Sequence, residues 1–302
     1  MKLQFVMLSA LALAAACKKR ESAQPAADTS AARDTAITVA DSFRTPESVL
    51  YDSVMDTYIV SNINGAPTAK DDNGFLSRVA PSGRTVELKW VDGASPAVTL
   101  NAPKGMGIKG DTLFVADIDE VRMFDRTSGA PLGSRPVRGA TFLNDIAVGS
   151  DGTVYVTDSG LKPDFSSSGS DAVYRFPRRP VAAALARGTD LGRPNGVYAD
   201  ASGLLVVTFG SGQVFRFDST ERRTELPKPP HGQLDGIERT RDGSYLISSW
   251  EDSTVYRMIP GGQYTPVVRG VESPADIGYD SRRDRVLIPL FNKNRIEIRP
   301  LR

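Results

Sequence analysis

The sequence predicts an all-β fold, a six-bladed β-propeller whose N-terminal strand closes the last blade, and three observations carry that expectation. A short device recurs six times: Pro46-Glu47-Ser48-Val49, Pro103-Lys104-Gly105-Met106, Leu143-Asn144-Asp145-Ile146, Pro194-Asn195-Gly196-Val197, Leu234-Asp235-Gly236-Ile237 and Pro274-Ala275-Asp276-Ile277. Its second residues are spaced 57, 40, 51, 40 and 40 positions apart. A period near 40 residues, built from short strands, is the mark of propeller blades. Hairpin-like alternation of apolar and polar residues follows each copy, and helical periodicity is nowhere sustained.

Taken in chain order, the first segment is an export signal. Met1-Lys2 supplies a positive start, Leu3 to Ala16 is apolar, and Leu13-Ala14-Ala15-Ala16-Cys17 ends in small residues before a cysteine. A span needs about 20 apolar residues, and Lys18-Lys19-Arg20 cuts this run short, so residues 1–16 read as a lipoprotein signal with Cys17 as the lipidation site. An ordinary secretory signal ending in cysteine is the plainer alternative. Cys17 is the only cysteine, so no internal disulfide is available and stability rests on packing. Residues 17–35 read as a flexible tether, poor in residues able to build a core. The expected location is the cell envelope, on the periplasmic face, with the outer membrane favoured by Lys18 after Cys17.

Residues 36–302 read as the propeller. The third blade shows its grammar: Ile146-Ala147-Val148 as inner strand, Ser150-Asp151-Gly152 as turn, Val154 to Thr157 as second strand and Ala172 to Phe176 as third. Leu204 to Val207 with Val214 to Phe217, and Tyr245 to Ser248 with Thr254 to Met258, repeat it. Val286 to Phe291 and Arg295 to Arg299 give the sixth blade only its later strands, and Ala36-Ile37-Thr38-Val39 has the alternation to complete it, hiding two sheet edges at once. Val181 to Arg187 is the best helical candidate, barely two turns long. With 37 basic and 36 acidic residues, the net charge of +1 supplies no field for nucleic acid, which is not expected as a partner.

In a propeller the inner strands start around the central channel, so Glu47, Lys104, Asn144, Asn195, Asp235 and Ala275 would converge at one mouth. Two carboxylates and two amide carbonyls there form an oxygen set suited to a divalent cation, Ca²⁺ first and Mg²⁺, Mn²⁺ or Zn²⁺ as alternatives. The competing reading is that Asn-Gly and Asp-Gly are only turn formers.

With Glu47 in Pro-Glu-Ser-Val, Asn144 in Phe-Leu-Asn-Asp, Asn195 in Arg-Pro-Asn-Gly-Val and Asp235 in Leu-Asp-Gly-Ile, residues 36–302 resemble the SMP-30/gluconolactonase/luciferin-regenerating family of six-bladed propellers. The resemblance implies that Glu47, Asn195 and Asp235 hold a divalent metal, that Asn144 lines the same pocket, and that the chain hydrolyses a lactone or ester. It further implies that the metal polarises the carbonyl while Asp235 orients or deprotonates water.

Three departures bear on substrate and metal. Glu47-Ser48-Val49 stands where Glu-Gly-Pro is common, and Phe142 where sugar-lactone members carry arginine, so a sugar-acid lactone is not the expected substrate. Lys104 places an ammonium in the ring, where it would replace the metal by an internal ion pair, act as a base after losing its proton, or snorkel out of the mouth. His231, the only histidine, lies four residues before Asp235 on an expected loop over the channel, as proton shuttle, substrate contact or plain surface residue. No Gly-x-Ser-x-Gly elbow, His-Glu-x-x-His zinc motif or phosphate-binding loop occurs.

The long first and third intervals fall at residues 63–74 and 161–170, read as lids over the channel or as surface insertions. Trp90 and Trp250 are expected to pack between blades. The rival to the hydrolase is a non-catalytic propeller of the NHL-like kind, using the same surface to bind a protein or a cell-envelope ligand.

Overall fold

Twenty-four strands form six four-stranded antiparallel sheets among the residues that the computed structural model describes, Met1, 35–40, 42–176 and 182–301. Cys17 and, apart from Met1 and Thr35, the expected signal and tether lie outside the described residues. No helix among the described residues is long and apolar enough to cross a membrane.

The blades follow one another along the chain. Blade 1 is β2 (Pro46–Asp52), β3 (Thr57–Asn62), β4 (Phe75–Val79) and β5 (Thr85–Asp92). Blade 2 is β6 (Pro103–Lys109), β7 (Thr112–Asp117), β8 (Glu120–Asp125) and β9 (Pro131–Pro136). Blade 3 is β10 (Leu143–Val148), β11 (Val154–Asp158), β12 (Ala172–Phe176) and β13 (Ala183–Arg187). Blade 4 is β14 (Pro194–Asp200), β15 (Gly203–Thr208), β16 (Val214–Phe217) and β17 (Arg223–Leu226). Blade 5 is β18 (Leu234–Arg239), β19 (Tyr245–Ser249), β20 (Thr254–Met258) and β21 (Tyr264–Arg269). Blade 6 is β22 (Gly278–Asp280), β23 (Arg285–Leu290) and β24 (Arg295–Pro300), completed by β1 (Ile37–Val39).

The closure is the one the alternation of Ala36 to Val39 predicts. β1 pairs antiparallel with β24, in the register Ile37 to Ile298, Thr38 to Glu297 and Val39 to Ile296, so the outer edge of the last blade is covered by the start of the fold. Val39, Phe43, Val49, Tyr58, Leu287 and Ile298 then bury together where blade 6 meets blade 1. Comparable apolar clusters fill the other five blade junctions, and this is where the core of the molecule sits. The expected helix is corrected: Ala183–Arg187 is the outer strand of blade 3, its pairing with β12 overriding the helix preference of its alanines and leucine.

Candidate functional site

In each of the first five blades, the ladder between the first and second strands skips the residue that the repeat singles out. Glu47, Lys104, Asn144, Asn195 and Asp235 are all left out of the strand pairing beside a shift of register in β2, β6, β10, β14 and β18. A bulge of this kind re-aims a side chain, and five in the same place aim five side chains at the channel mouth. The glycines that follow have another task than making a turn. A Cβ on Gly196 would stand 2.3 Å from the carbonyl oxygen of Asp235, and one on Gly236 2.3 Å from the amide of Ile277. Both lie inside strands and let neighbouring inner strands approach backbone to backbone, which corrects the turn-former reading of Asn-Gly and Asp-Gly.

The structure brings Glu47, Lys104, Asn144, Asn195 and Asp235 to the wall of one cavity of about 290 Å³. All are at least nine-tenths buried. Ala275 is buried as well and contributes no polar atom; the next amide, that of Asp276, donates to the carbonyl of Glu47 at 2.9 Å and joins the sixth blade to the first.

Four oxygens at this mouth have no partner: Glu47 Oε2, Asn144 Oδ1, Asn195 Oδ1 and Asp235 Oδ1. Leaving one buried acceptor unpaired costs about 1–3 kcal/mol, so four from four blades in one cavity call for bound water or a ligand. Asn144 is fixed in orientation, since its Nδ2 donates to Ser159 Oγ at 3.0 Å and that hydroxyl donates to the Pro194 carbonyl at 2.7 Å. Its Oδ1 is therefore the atom that faces away. Two carboxylate and two amide oxygens form a hard donor set that fits a divalent cation with added water. No three His, Cys, Asp or Glu side chains gather as a metal-holding group among the described residues, so the amides are essential to this reading.

Lys104 neither snorkels nor pairs with the ring. It is 1% exposed, and its ammonium donates to the carbonyls of Pro67 at 3.0 Å and Ala102 at 2.9 Å, 4.6 Å from the centre of the Phe142 ring. Burial lowers its pKa to about 8 against the opposing pull of Glu47 and Asp117. Burial raises Glu47 well above the usual carboxylate range, helped by Asp235 and Asp145 and opposed by Lys104. Asp235 is raised to about 8 by burial and by Asp145, with Trp250 and Asn195 pulling the other way.

His231 takes another place. Its side chain is 46% exposed, its Nε2 stands 3.9 Å from Asp252 Oδ2, and it is not part of the cavity wall. Both long loops do reach the cavity, 63–74 through Ile63 and Pro67 and 161–170 through Leu161 and Phe165. Trp90 packs between blades 1 and 2 under the Arg78 guanidinium, as expected. Trp250 of blade 5 packs against Phe209 and Phe291 of the blades on either side, as expected, and it also lines the cavity.

Two sets of residues escaped the sequence reading. Asp145 and Asp276 directly follow ring residues and line a second cavity of about 180 Å³ with Ser48 and Glu238. Asp145 accepts the amides of Ile146 and Val197 at 2.6 and 2.7 Å, stitching blade 3 to blade 4, and Asp276 accepts the Ser48 hydroxyl. The other set is the residue just after each second strand: Ile63, Ile118, Ser159, Phe209, Trp250 and Phe291. Its spacing tracks that of the polar ring, a signal present in the sequence.

Fold and site together define a six-bladed propeller with an oxygen-lined, aromatic-walled cavity at one channel mouth. No protein-family model and no curated protein matches the chain. Solved structures do. A gluconolactonase from Xanthomonas campestris is similar over 88% of this chain and 89% of its own, with a TM-score of 0.69 at 18% identity. A calcium-binding regucalcin from Agrobacterium tumefaciens is similar over 87% and 93%, with a TM-score of 0.65 at 13% identity. Virginiamycin B lyase from Staphylococcus aureus is similar over 89% and 99%, with a TM-score of 0.64 at 12% identity. At these identities the likeness is one of fold.

Proposed function

We propose that this chain is a divalent-cation-dependent hydrolase of a lactone or ester, working at the mouth that holds Glu47, Asn144, Asn195 and Asp235. The observation that carries the reading is the set of four buried oxygens without partners. Gluconolactonase and a calcium-binding regucalcin among the similar structures support it, and Ca²⁺ is the first candidate.

Held by these four residues, a divalent cation would polarise the carbonyl of the substrate. The chain's own groups do the rest. Asp235 has a second carboxylate oxygen with which to orient a water and take its proton as the water oxygen joins the carbonyl carbon. The ester C–O bond then breaks and Asp235 returns the proton to the leaving oxygen, giving a carboxylic acid and an alcohol, which remain one molecule when the substrate is a lactone. Lys104, tied to two carbonyls, is held as a fixed positive charge beside the ring and limits how much cationic charge the site accepts. His231, outside the cavity wall, has no part in this scheme.

The export reading is proposed alongside: residues 1–16 removed, Cys17 lipidated, and the propeller tethered to the periplasmic face of the envelope, in the outer membrane by preference.

The test is metal content by mass spectrometry of the full chain, beside a Glu47→Ala/Asp235→Ala variant. One equivalent of cation in the parent and none in the variant is expected, together with cleavage of members of a lactone and aryl-ester panel. A chain that holds no cation and cleaves nothing in the presence of Ca²⁺, Mg²⁺, Mn²⁺ or Zn²⁺ would sink the reading and leave a binding propeller.

A further inference from the structure

The polar floor of the mouth cavity is only half of the site. Above it stands the collar formed where each blade's second strand ends, and blades 4, 5 and 6 supply Phe209, Trp250 and Phe291. These rings touch in sequence: Phe209 meets Trp250 edge to face at a centroid distance of 5.5 Å, and Trp250 meets Phe291 at 5.3 Å. Phe142 and Phe165 face the cavity from blade 3 and its loop.

Above the four ring oxygens the wall offers few free hydrogen-bonding groups, and Trp250 Nε1 is a buried donor without a partner. Ser159, the one polar member of the collar, uses its hydroxyl on Asn144 and on the Pro194 carbonyl. Lys104 spends its ammonium on two carbonyls. Besides Glu47, Lys104 and Asp235, Arg193 is the further charged side chain of the lining. A polyhydroxylated ring entering here carries more hydroxyls than Trp250 Nε1 and Arg193 can answer, and each one stripped of water without replacement costs roughly tenfold in affinity. A flat apolar ring loses nothing and gains contact with three aromatic side chains.

We infer that the mouth selects a neutral, largely apolar cyclic ester of one or two rings, its body against the Phe209, Trp250 and Phe291 collar and its ester group over the Glu47, Asn144, Asn195 and Asp235 oxygens. The ester group rests on the hydrolase reading above; the apolar body rests on the collar alone. A volume of about 290 Å³ admits a bicyclic molecule and little more.

Calorimetric titration of the full chain in chelator, where no cation-assisted turnover competes, compares 3,4-dihydrocoumarin with glucono-1,5-lactone. The aromatic lactone is expected to bind at least tenfold more tightly. Trp90 and Trp250 are the two tryptophans, so in a Trp90→Phe chain the indole emission reports on Trp250, and it should change saturably with the aromatic lactone. Phe209→Ser/Phe291→Ser should weaken that binding about tenfold. No saturable binding of dihydrocoumarin, or equal or tighter binding of the sugar lactone, overturns the inference. Hydrolysis with added cation separates the two proposals. If dihydrocoumarin binds but is not cleaved with any of the four cations, the collar inference stands and the hydrolase reading falls. If the sugar lactone alone is cleaved, the hydrolase reading stands and the inference falls.

Discussion

Lys104 is the residue on which the chemistry of the mouth turns. A buried ammonium normally answers a carboxylate, yet this one answers two main-chain carbonyls and leaves Glu47 Oε2 without a partner. The ring thus keeps its oxygens free and carries a positive charge at their side. At an effective dielectric near 20, unit charges even 8 Å apart interact by about 2 kcal/mol, so the lysine must weaken any cation held in the same cavity. Lys104→Met, which keeps most of the volume and removes the charge, is therefore expected to tighten Ca²⁺ binding about tenfold by calorimetry. Unchanged or weaker binding would mean that the ammonium and the cation do not share the site. The position of Lys104 in the ring was legible from the repeat; its partners were not. Pro67 lies in the long loop of blade 1, and only the path of that loop decides whether the lysine has a carbonyl to reach. The same holds for Trp250, which sequence reading sends to the blade junction because bulky aromatic side chains usually pack there. It does touch the rings of both neighbouring blades, and its register, one residue beyond the second strand, turns it to the cavity as well.

Between elements, polar clamps add to the apolar junctions. Asp52, at the end of β2, is bound by the guanidinium of Arg126 just beyond β8, and it also accepts the amides of Val54 at 3.0 Å and Met55 at 2.8 Å. Blade 1 is so tied to blade 2. Burial by itself raises the pKa of Asp52, but the Arg126, Met55 and Val54 hydrogen bonds outweigh it, and the net shift is downward. A carboxylate whose folded value lies below its unfolded value near 3.9 stabilises the fold fully above that unfolded value, and the contribution is lost as pH falls through the folded one. Asp52→Asn, which leaves Arg126 unpaired and mostly buried, is expected to cost about 3 kcal/mol at pH 7. In thermal melts from pH 7 to pH 2, the gap between parent and variant should narrow below about pH 4. A gap that stays constant to pH 2 would show that the pair does not tie the blades. Elements of this kind were readable in part. Strand positions, the turn residues Asp151-Gly152 and the closing role of Ala36 to Val39 all follow from local alternation and turn chemistry. The outer strand Ala183–Arg187 does not, because its alanines and leucine favour helix until β12 offers a ladder.

At the scale of the whole molecule, the ring is a point where closure and function meet. Glu47, Asn144, Asn195 and Asp235 come from blades 1, 3, 4 and 5, so their four oxygens converge only when the propeller is closed, and the unfolded chain has no such site. Closure itself depends on the three residues of β1 and on the amide of Asp276 reaching the carbonyl of Glu47. A ligand that binds the folded state and not the unfolded one stabilises it by about 2.7 kcal/mol at a hundredfold excess over its dissociation constant. For a fold of this size each kcal/mol is worth about 2–4 °C, so saturating Ca²⁺ should raise the melting temperature by about 5–10 °C over the value in chelator. The rise should vanish in Glu47→Gln/Asp235→Asn, which keeps the shape of the ring and removes its charge, and it should be larger in Lys104→Met. Scanning calorimetry at matched ionic strength distinguishes this from general screening, since Na⁺ at equal ionic strength controls for the latter. Equal melting temperatures with Ca²⁺ and with chelator would mean that the four oxygens are not a Ca²⁺ site, however well they converge. A rise that persists in the double variant would place the cation elsewhere on the propeller.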